Sequence, residues 1–145
     1  MKVTVFTAVY NGLPFLKEAI ESTLNQTYED FEYLIIDDCS TDDSVSIIES
    51  YNDSRIKLIK NKKNLGVAKT FNKGLSIIDS KYVVRLDQDD INKNNRVEEQ
   101  IKFLESNSNI DIVCSWEQSI DHNGDKIRDW KANIKNYGNF IGAVL

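Results

Sequence analysis

Histidine, proline and cysteine are nearly missing from this 145-residue chain, which has one His, one Pro and two Cys. The lone His122 falls in a predicted hairpin turn, where a solvent-exposed role is expected, so serine-hydrolase chemistry has no histidine to work with. No Cys or His cluster has the spacing of a zinc site. Cys39 and Cys114 sit in a polar loop and an apolar segment, and two such thiols read as reduced, cytoplasmic cysteines rather than a disulfide framework. No Gly-x-Gly-x-x-Gly follows the first apolar segment, and there is no Walker phosphate loop. Long apolar runs are lacking too. The leading run at residues 3–9 is short, interrupted by Thr4 and Thr7 and without a small-residue cleavage site, so it reads as a first strand rather than a signal peptide. Basic charge is in deficit, with 18 Lys and Arg against 23 Asp and Glu and a net charge of −5. A nucleic-acid or anionic-membrane surface is disfavoured as a global property, while a local anion site remains open.

What is present is an ordinary globular composition, 41% apolar and 28% charged, which excludes disorder and a membrane span as the dominant character. The length suits one domain over residues 1–145. Short apolar runs alternate with helical periodicity. Strands are predicted at residues 3–8, 31–36, 55–59, 81–86 and 110–116, and helices at 14–25, from 41 through Ile47, Ile48 and Tyr51, at 67–78 and at 96–104. Asp121-His122-Asn123-Gly124 carries the Asn-Gly signature of a tight hairpin turn. Successive strand-helix units imply parallel strands joined by right-handed crossovers, in the order 3-2-1-4, with helices on both faces. Ligands of such sheets bind outside the carboxyl ends of the strands, where the order reverses.

Three loops converge there: Val9-Tyr10-Asn11-Gly12, Asp37-Asp38-Cys39-Ser40 and Asp87-Gln88-Asp89-Asp90. The last places three carboxylates in four residues after a Tyr-Val-Val-x-Leu run of the kind expected in a buried parallel strand. Adjacent acids repel unless water, a cation or a basic ligand offsets them. Acids after a strand commonly solvate a turn or cap the next helix. A calcium loop fits Asp87, Asp89 and Glu98 at its positions 1, 3 and 12, but Ile91 and Asn92 then stand where an oxygen ligand and a Gly are required. In an extended segment Asp87 and Asp89 would face one side and offer hard oxygen ligands to magnesium or manganese, completed by phosphate oxygens. Tyr10 offers a ring for stacking, and Asp38 suits a nucleobase N–H better than a phosphate, which it would repel. Lys69 and the Lys60, Lys62, Lys63 group are the basic residues within reach of a phosphate, although a lysine-rich loop is commonly just solvated.

As an ordered set, Val9-Tyr10-Asn11-Gly12, Gln26-Thr27-Tyr28-x-x-Phe31-Glu32, Ile35-Ile36-Asp37-Asp38-x-Ser40-Thr41-Asp42, Asn64-x-Gly66 and Leu86-Asp87-Gln88-Asp89-Asp90 resemble family 2 glycosyltransferases. The resemblance covers at least the first 116 residues. It implies a Rossmann-like GT-A fold, a nucleotide-diphosphate sugar donor, probed first as a UDP-sugar, and Mn2+ or Mg2+ held at an Asp-x-Asp motif. Carried over by position, Ala8, Val9 and Tyr10 surround the nucleobase and Asp38 hydrogen-bonds its ring nitrogen. Asp87 faces the ribose or the metal's outer shell, Gln88 lies between the two acids of the motif, and Asp89 is the direct metal ligand. Many relatives have an Arg just before the Asn of the helix after Asn-x-Gly. Here Phe71 precedes Asn72, so basic help to the donor falls to Lys69 or is absent.

The same resemblance places the acceptor side and the catalytic base beyond the point this chain reaches, and no residue in it matches that base. The apolar Gly142-Ala143-Val144-Leu145 ending, with no helix stop, suggests a chain cut inside a larger domain. Two readings follow: a metal-dependent, inverting transferase acting on a glycan or lipid-linked acceptor at the cytoplasmic side, including the inner face of the membrane, or a donor-binding module without transfer. A flavodoxin-like phosphoacceptor domain is a weaker third, since its acids belong after strands one and three rather than two and four.

Overall fold

Apolar and threonine residues fill Val3–Val9, and this run forms β1, an inner strand of a four-stranded parallel sheet. In the computed structural model, which describes residues 2–121 and 125–130, β1 lies between β2 (Phe31–Asp37) and β4 (Tyr82–Arg85), and β3 (Ile56–Lys60) flanks β2. The order β3-β2-β1-β4 is the one predicted, with every pairing parallel. The register sets Phe6 beside Leu34 on one side and Arg85 on the other.

Alternation along the strands gives the sheet two apolar faces. On one, Phe6, Leu34 and Ile36 form a buried cluster joined by Ile59, Phe71 and Ile78. α3 (Val67–Leu75) covers this face, and it approaches so closely that a Cβ on Gly74 would lie 2.2 Å from Phe6 Cζ. On the other, the Thr7 and Tyr33 hydroxyls meet at 3.1 Å. Thr23 of α1 (Leu16–Leu24) also hydrogen-bonds Tyr33, and α2 (Ser44–Glu49) contacts α1. Burial pushes the Tyr33 pKa up despite the lowering effect of the two threonines, so the phenol stays neutral in this layer.

Gln26 and Thr27 have a structural task. Gln26 Nε2 donates to the Lys93 carbonyl at 2.8 Å and Thr27 N to the Asn94 carbonyl at 2.8 Å, while Asn92 N donates to Ser22 Oγ at 3.0 Å. These bonds tie the segment after the acidic loop to the end of α1.

The chain divides into two compact units, one ending at Asn95 and one beginning at Arg96. In the second, α4 (Arg96–Ser106) has Val97 and Ile101 buried and Leu104 half-buried, and β5 (Glu117–Ile120) pairs antiparallel with β6 (Lys126–Trp130).

Three expectations differ from the structure. The strand predicted at residues 110–116 forms only a single bridge at Cys114, and the regular strand begins at Glu117. Its apolar residues do not make it a core strand: Ile112 and Trp116 are half exposed. The run ending at Leu86 is not buried on both faces either. Among the described residues β4 pairs only with β1, so Val84 and Leu86 are buried while Val83 is 42% exposed. The helix predicted to reach residue 78 stops at Leu75, and Ile78 joins the core from beyond it. The tight turn proposed around His122 and the apolar ending at residues 142–145 lie outside the described residues.

Candidate functional site

The loop after β1 is built by its neighbours. Four consecutive backbone N–H groups, which a turn of this shape cannot satisfy internally, each donate to a side chain from the β4 loop or from the segment between β2 and the start of α2. Tyr10 N donates to Gln88 Oε1 at 2.8 Å, Asn11 N to Ser40 Oγ at 3.0 Å, Gly12 N to Ser44 Oγ at 2.9 Å and Leu13 N to Asp42 Oδ2 at 3.3 Å. Asn11, at a positive φ of 49°, returns a bond by accepting from Thr41 N at 2.8 Å. The Asn side chain tolerates this left-handed conformation better than most residues. Burial acts to raise the Asp42 pKa, but hydrogen bonds from Ser44 and Leu13 outweigh it and leave the carboxyl below its ordinary value. The polar residues after Asp38 therefore fix the β1 loop as well as introducing α2.

That loop forms one wall of a cleft of about 430 Å³ at the carboxyl ends of β1, β2 and β4. Ala8, Val9 and Tyr10 line it from β1, Asp38 from β2, and Arg85, Asp87, Gln88 and Asp89 from the end of β4. The start of α3 closes it with Gly66, Val67 and Thr70. Tyr10 is 46% exposed, so its ring face is open to a flat ligand. A second cavity of about 480 Å³, beside the amino ends of β2 and β3, is lined by Leu24, Glu29 and residues 52–55 and holds none of the predicted site residues.

Asp38 is 2% exposed and is the hub of the cleft's inner edge. Its Oδ1 accepts from Asn61 Nδ2 at 2.7 Å and Leu65 N at 2.9 Å, and its Oδ2 from Gly66 N at 2.8 Å. Burial raises its pKa, but the bonds from Asn61, Leu65, Thr70 and Gly66 together outweigh this and hold the carboxyl below its usual value. Gly66, with φ of 82°, supplies the backbone shape that aims its N–H at Asp38 as α3 begins. Asp38 thus orders the Asn64-x-Gly66 loop, a role that the sequence did not indicate.

Residues 87–90 form a turn closed by Asp90 N donating to the Asp87 carbonyl at 3.2 Å, not the extended segment expected. Asp87 and Asp89 nevertheless both line the cleft. Asp87 is held by Arg85, whose Nη2 lies 2.9 Å from Oδ1 and 2.8 Å from Oδ2. Asp89 is exposed and makes no hydrogen bond or ion pair among the described residues. Those residues include no group of three or more His, Cys, Asp or Glu side chains gathered for a cation. Asp87 and Asp89, the two carboxylates at this end of the cleft, suit a hard cation that takes one or two carboxylates and completes its shell with ligand oxygens and water, as magnesium and manganese do at nucleotide sites.

The structure brings together seven of the eight predicted residues: Ala8, Val9, Tyr10, Asp38, Asp87, Gln88 and Asp89. Lys69 is exposed on α3 and is not among the lining residues. The basic group in the cleft is Arg85, a residue of β4 that was not among those expected at the site. Its place immediately before the acidic loop was the signal available.

A parallel α/β sheet with an acidic, aromatic-edged cleft at its switch point defines a ligand-binding domain of the doubly wound class. The family model of glycosyl transferase family 2 matches residues 4–143, and the chain belongs to that family. An uncharacterized glycosyltransferase of Methanocaldococcus jannaschii is 41% identical over 133 residues, covering 89% of this chain and 46% of that protein. Among solved structures, S. aureus TarS residues 1–349 in complex with UDP-GlcNAc matches with a TM-score of 0.76 and 25% identity over 84% of this chain and 36% of that one. The mannosyltransferase PcManGT from Pyrobaculum calidifontis, in complex with GDP-Man and Mn2+, matches with a TM-score of 0.71 and 24% identity over 79% of this chain and 35% of its own, a likeness of fold. The fold is GT-A, and the chain spans less than half the length of these proteins.

Proposed function

We propose that the chain is the donor-binding part of a metal-dependent, inverting glycosyltransferase that moves a sugar from a nucleotide-diphosphate donor, a UDP-sugar, to a hydroxyl of a glycan or lipid-linked acceptor. The observation that carries this reading is the convergence of Tyr10, Asp38, Asp87, Gln88 and Asp89 on one cleft at the switch point. Tyr10 stacks on the base, and Asp38, kept ionised by its hydrogen bonds, accepts from a base N–H at the inner edge. Asp87 and Asp89 hold Mn2+ or Mg2+, with Asp89 the more available ligand because Arg85 engages Asp87. A divalent cation bound there offsets the charge that builds on the departing diphosphate. The complex of TarS with UDP-GlcNAc supports uridine as the base.

Attack by an acceptor hydroxyl needs a carboxylate within hydrogen-bond reach to take its proton. The three acids that line the cleft are all assigned to base or metal, which favours donor binding without transfer as the second reading for these residues alone. No helix of the described residues is long and apolar enough to cross a membrane. The place of action proposed is the cytoplasm, including the inner membrane face.

Calorimetric titration with UDP and GDP, with and without Mn2+, tests the reading. Metal-enhanced binding of one of them is expected, and no binding of either in the presence of metal overturns both versions. Donor binding with no detectable sugar hydrolysis or transfer selects the second.

A further inference from the structure

Arg85 is the one cation among the described residues that line the cleft, which it shares with Asp38, Asp87 and Asp89. Lys69 is outside the lining, and Lys73 is engaged with the Asn61 amide oxygen. The guanidinium lies 4.7 Å from the Phe71 ring centroid, and Nε and Nη2 reach Asp87 Oδ1 at 3.0 and 2.9 Å. Phe71 in turn packs at a tilt against Phe6, their ring centroids 4.7 Å apart, so the platform under the guanidinium is joined to the core. The position just before Asn72 thus supplies a ring rather than a cation, and the cation arrives from β4.

We propose that Arg85 is a positioning residue for the donor diphosphate: it holds Asp87 when no nucleotide is present and turns its fork to the phosphate oxygens when one enters. The inference rests on the nucleotide-sugar reading above. Its side chain is 62% exposed, and an ion pair this open to water is weak enough to exchange partners. A planar guanidinium stacked on a ring can rotate its fork between a carboxylate and a phosphate without leaving its platform, and it matches either one in two-point geometry. Without Arg85 a diphosphate would enter a cleft whose protein charges are all negative.

The test compares UDP, titrated by calorimetry in MgCl2, with uridine, followed by NMR shifts, for the wild type, Arg85→Gln and Arg85→Lys. Arg85→Gln is expected to weaken UDP about tenfold or more, as loss of a charge-assisted contact does, while uridine stays within about twofold. Arg85→Lys, which keeps the charge and loses the fork, falls between. If the Gln variant does not fold by its urea midpoint, the Lys variant carries the same comparison. UDP affinity within about twofold of wild type, or a uridine loss equal to the UDP loss, overturns the inference and leaves the nucleotide-sugar reading standing. Failure of the wild type to bind either UDP or uridine overturns both.

Discussion

Gln88 grips the backbone of Tyr10 from both sides, its Oε1 accepting from Tyr10 N at 2.8 Å and its Nε2 donating to the Tyr10 carbonyl at 3.2 Å. The middle residue of the acidic loop is therefore a clamp between the ends of β1 and β4, the two strands that flank the switch point. It fixes the ring proposed to stack on the base relative to the acids proposed to hold the metal. Gly12 belongs to the same junction, since a Cβ there would come within 3.2 Å of Gln88 Oε1.

Gln88→Ala is expected to lower stability by about 1 kcal/mol, because two partly exposed hydrogen bonds to the backbone are lost. It should also weaken nucleotide binding several-fold by freeing Tyr10. Urea unfolding and calorimetry read the two effects. Unchanged stability together with unchanged binding would show that the clamp is incidental.

Asp38→Asn should cost about 2 kcal/mol, because an amide group turned toward the Asn61, Leu65 and Gly66 donors leaves at least one of them unsatisfied. The pH dependence has a definite sign. The Asp38 pKa is lowered in the folded chain, so the unfolded chain binds the proton more readily. Its contribution is complete above the ordinary carboxylate pKa of about 4 and is lost as pH falls through the lower folded value. Urea midpoints measured from pH 7 to pH 3 should show the gap between wild type and variant holding steady and then shrinking in acid. A gap that widens in acid would show that the Asp38 carboxyl is not held below its ordinary pKa in the folded chain.

Gly74→Ala sets two effects against each other. Alanine favours the helix by about 1 kcal/mol, but its Cβ would sit 2.2 Å from Phe6 Cζ in a packed cluster. Overpacking of this kind costs about 1–3 kcal/mol or more, so a net loss in thermal stability is expected. Since Phe6 supports Phe71, UDP affinity should fall as well. A variant that melts higher than wild type would show that α3 has room to move away.

The sheet order and most of the residues that line the cleft were legible in the sequence because short apolar runs, and the acids that follow β2 and β4, are local signals. β1 through β4 announce themselves this way, and each loop that lines the cleft follows directly from its strand. The bonds that shape those loops were not legible. Ser40, Asp42 and Ser44 reach loop residues 29 to 32 positions away, and Gln88 reaches one 78 positions away. No periodicity encodes such a pairing. Arg85 was hidden because its position in a strand suggested an inert residue, and its stacking on Phe71 depends on how α3 packs. The strand expected at residues 110–116 shows the converse failure, an apolar run that makes only one bridge among the described residues.

One cleft at the switch point is proposed to hold nucleotide and metal together. The most direct measurement is an X-ray structure of the chain crystallised with UDP and Mn2+, with the manganese located by its anomalous signal. The uracil ring is expected against Tyr10 beside Asp38, and the anomalous peak on the Asp89 carboxylate. Nucleotide density in the cavity lined by Glu29 and residues 52–55, or a manganese peak remote from Asp87 and Asp89, would contradict that placement.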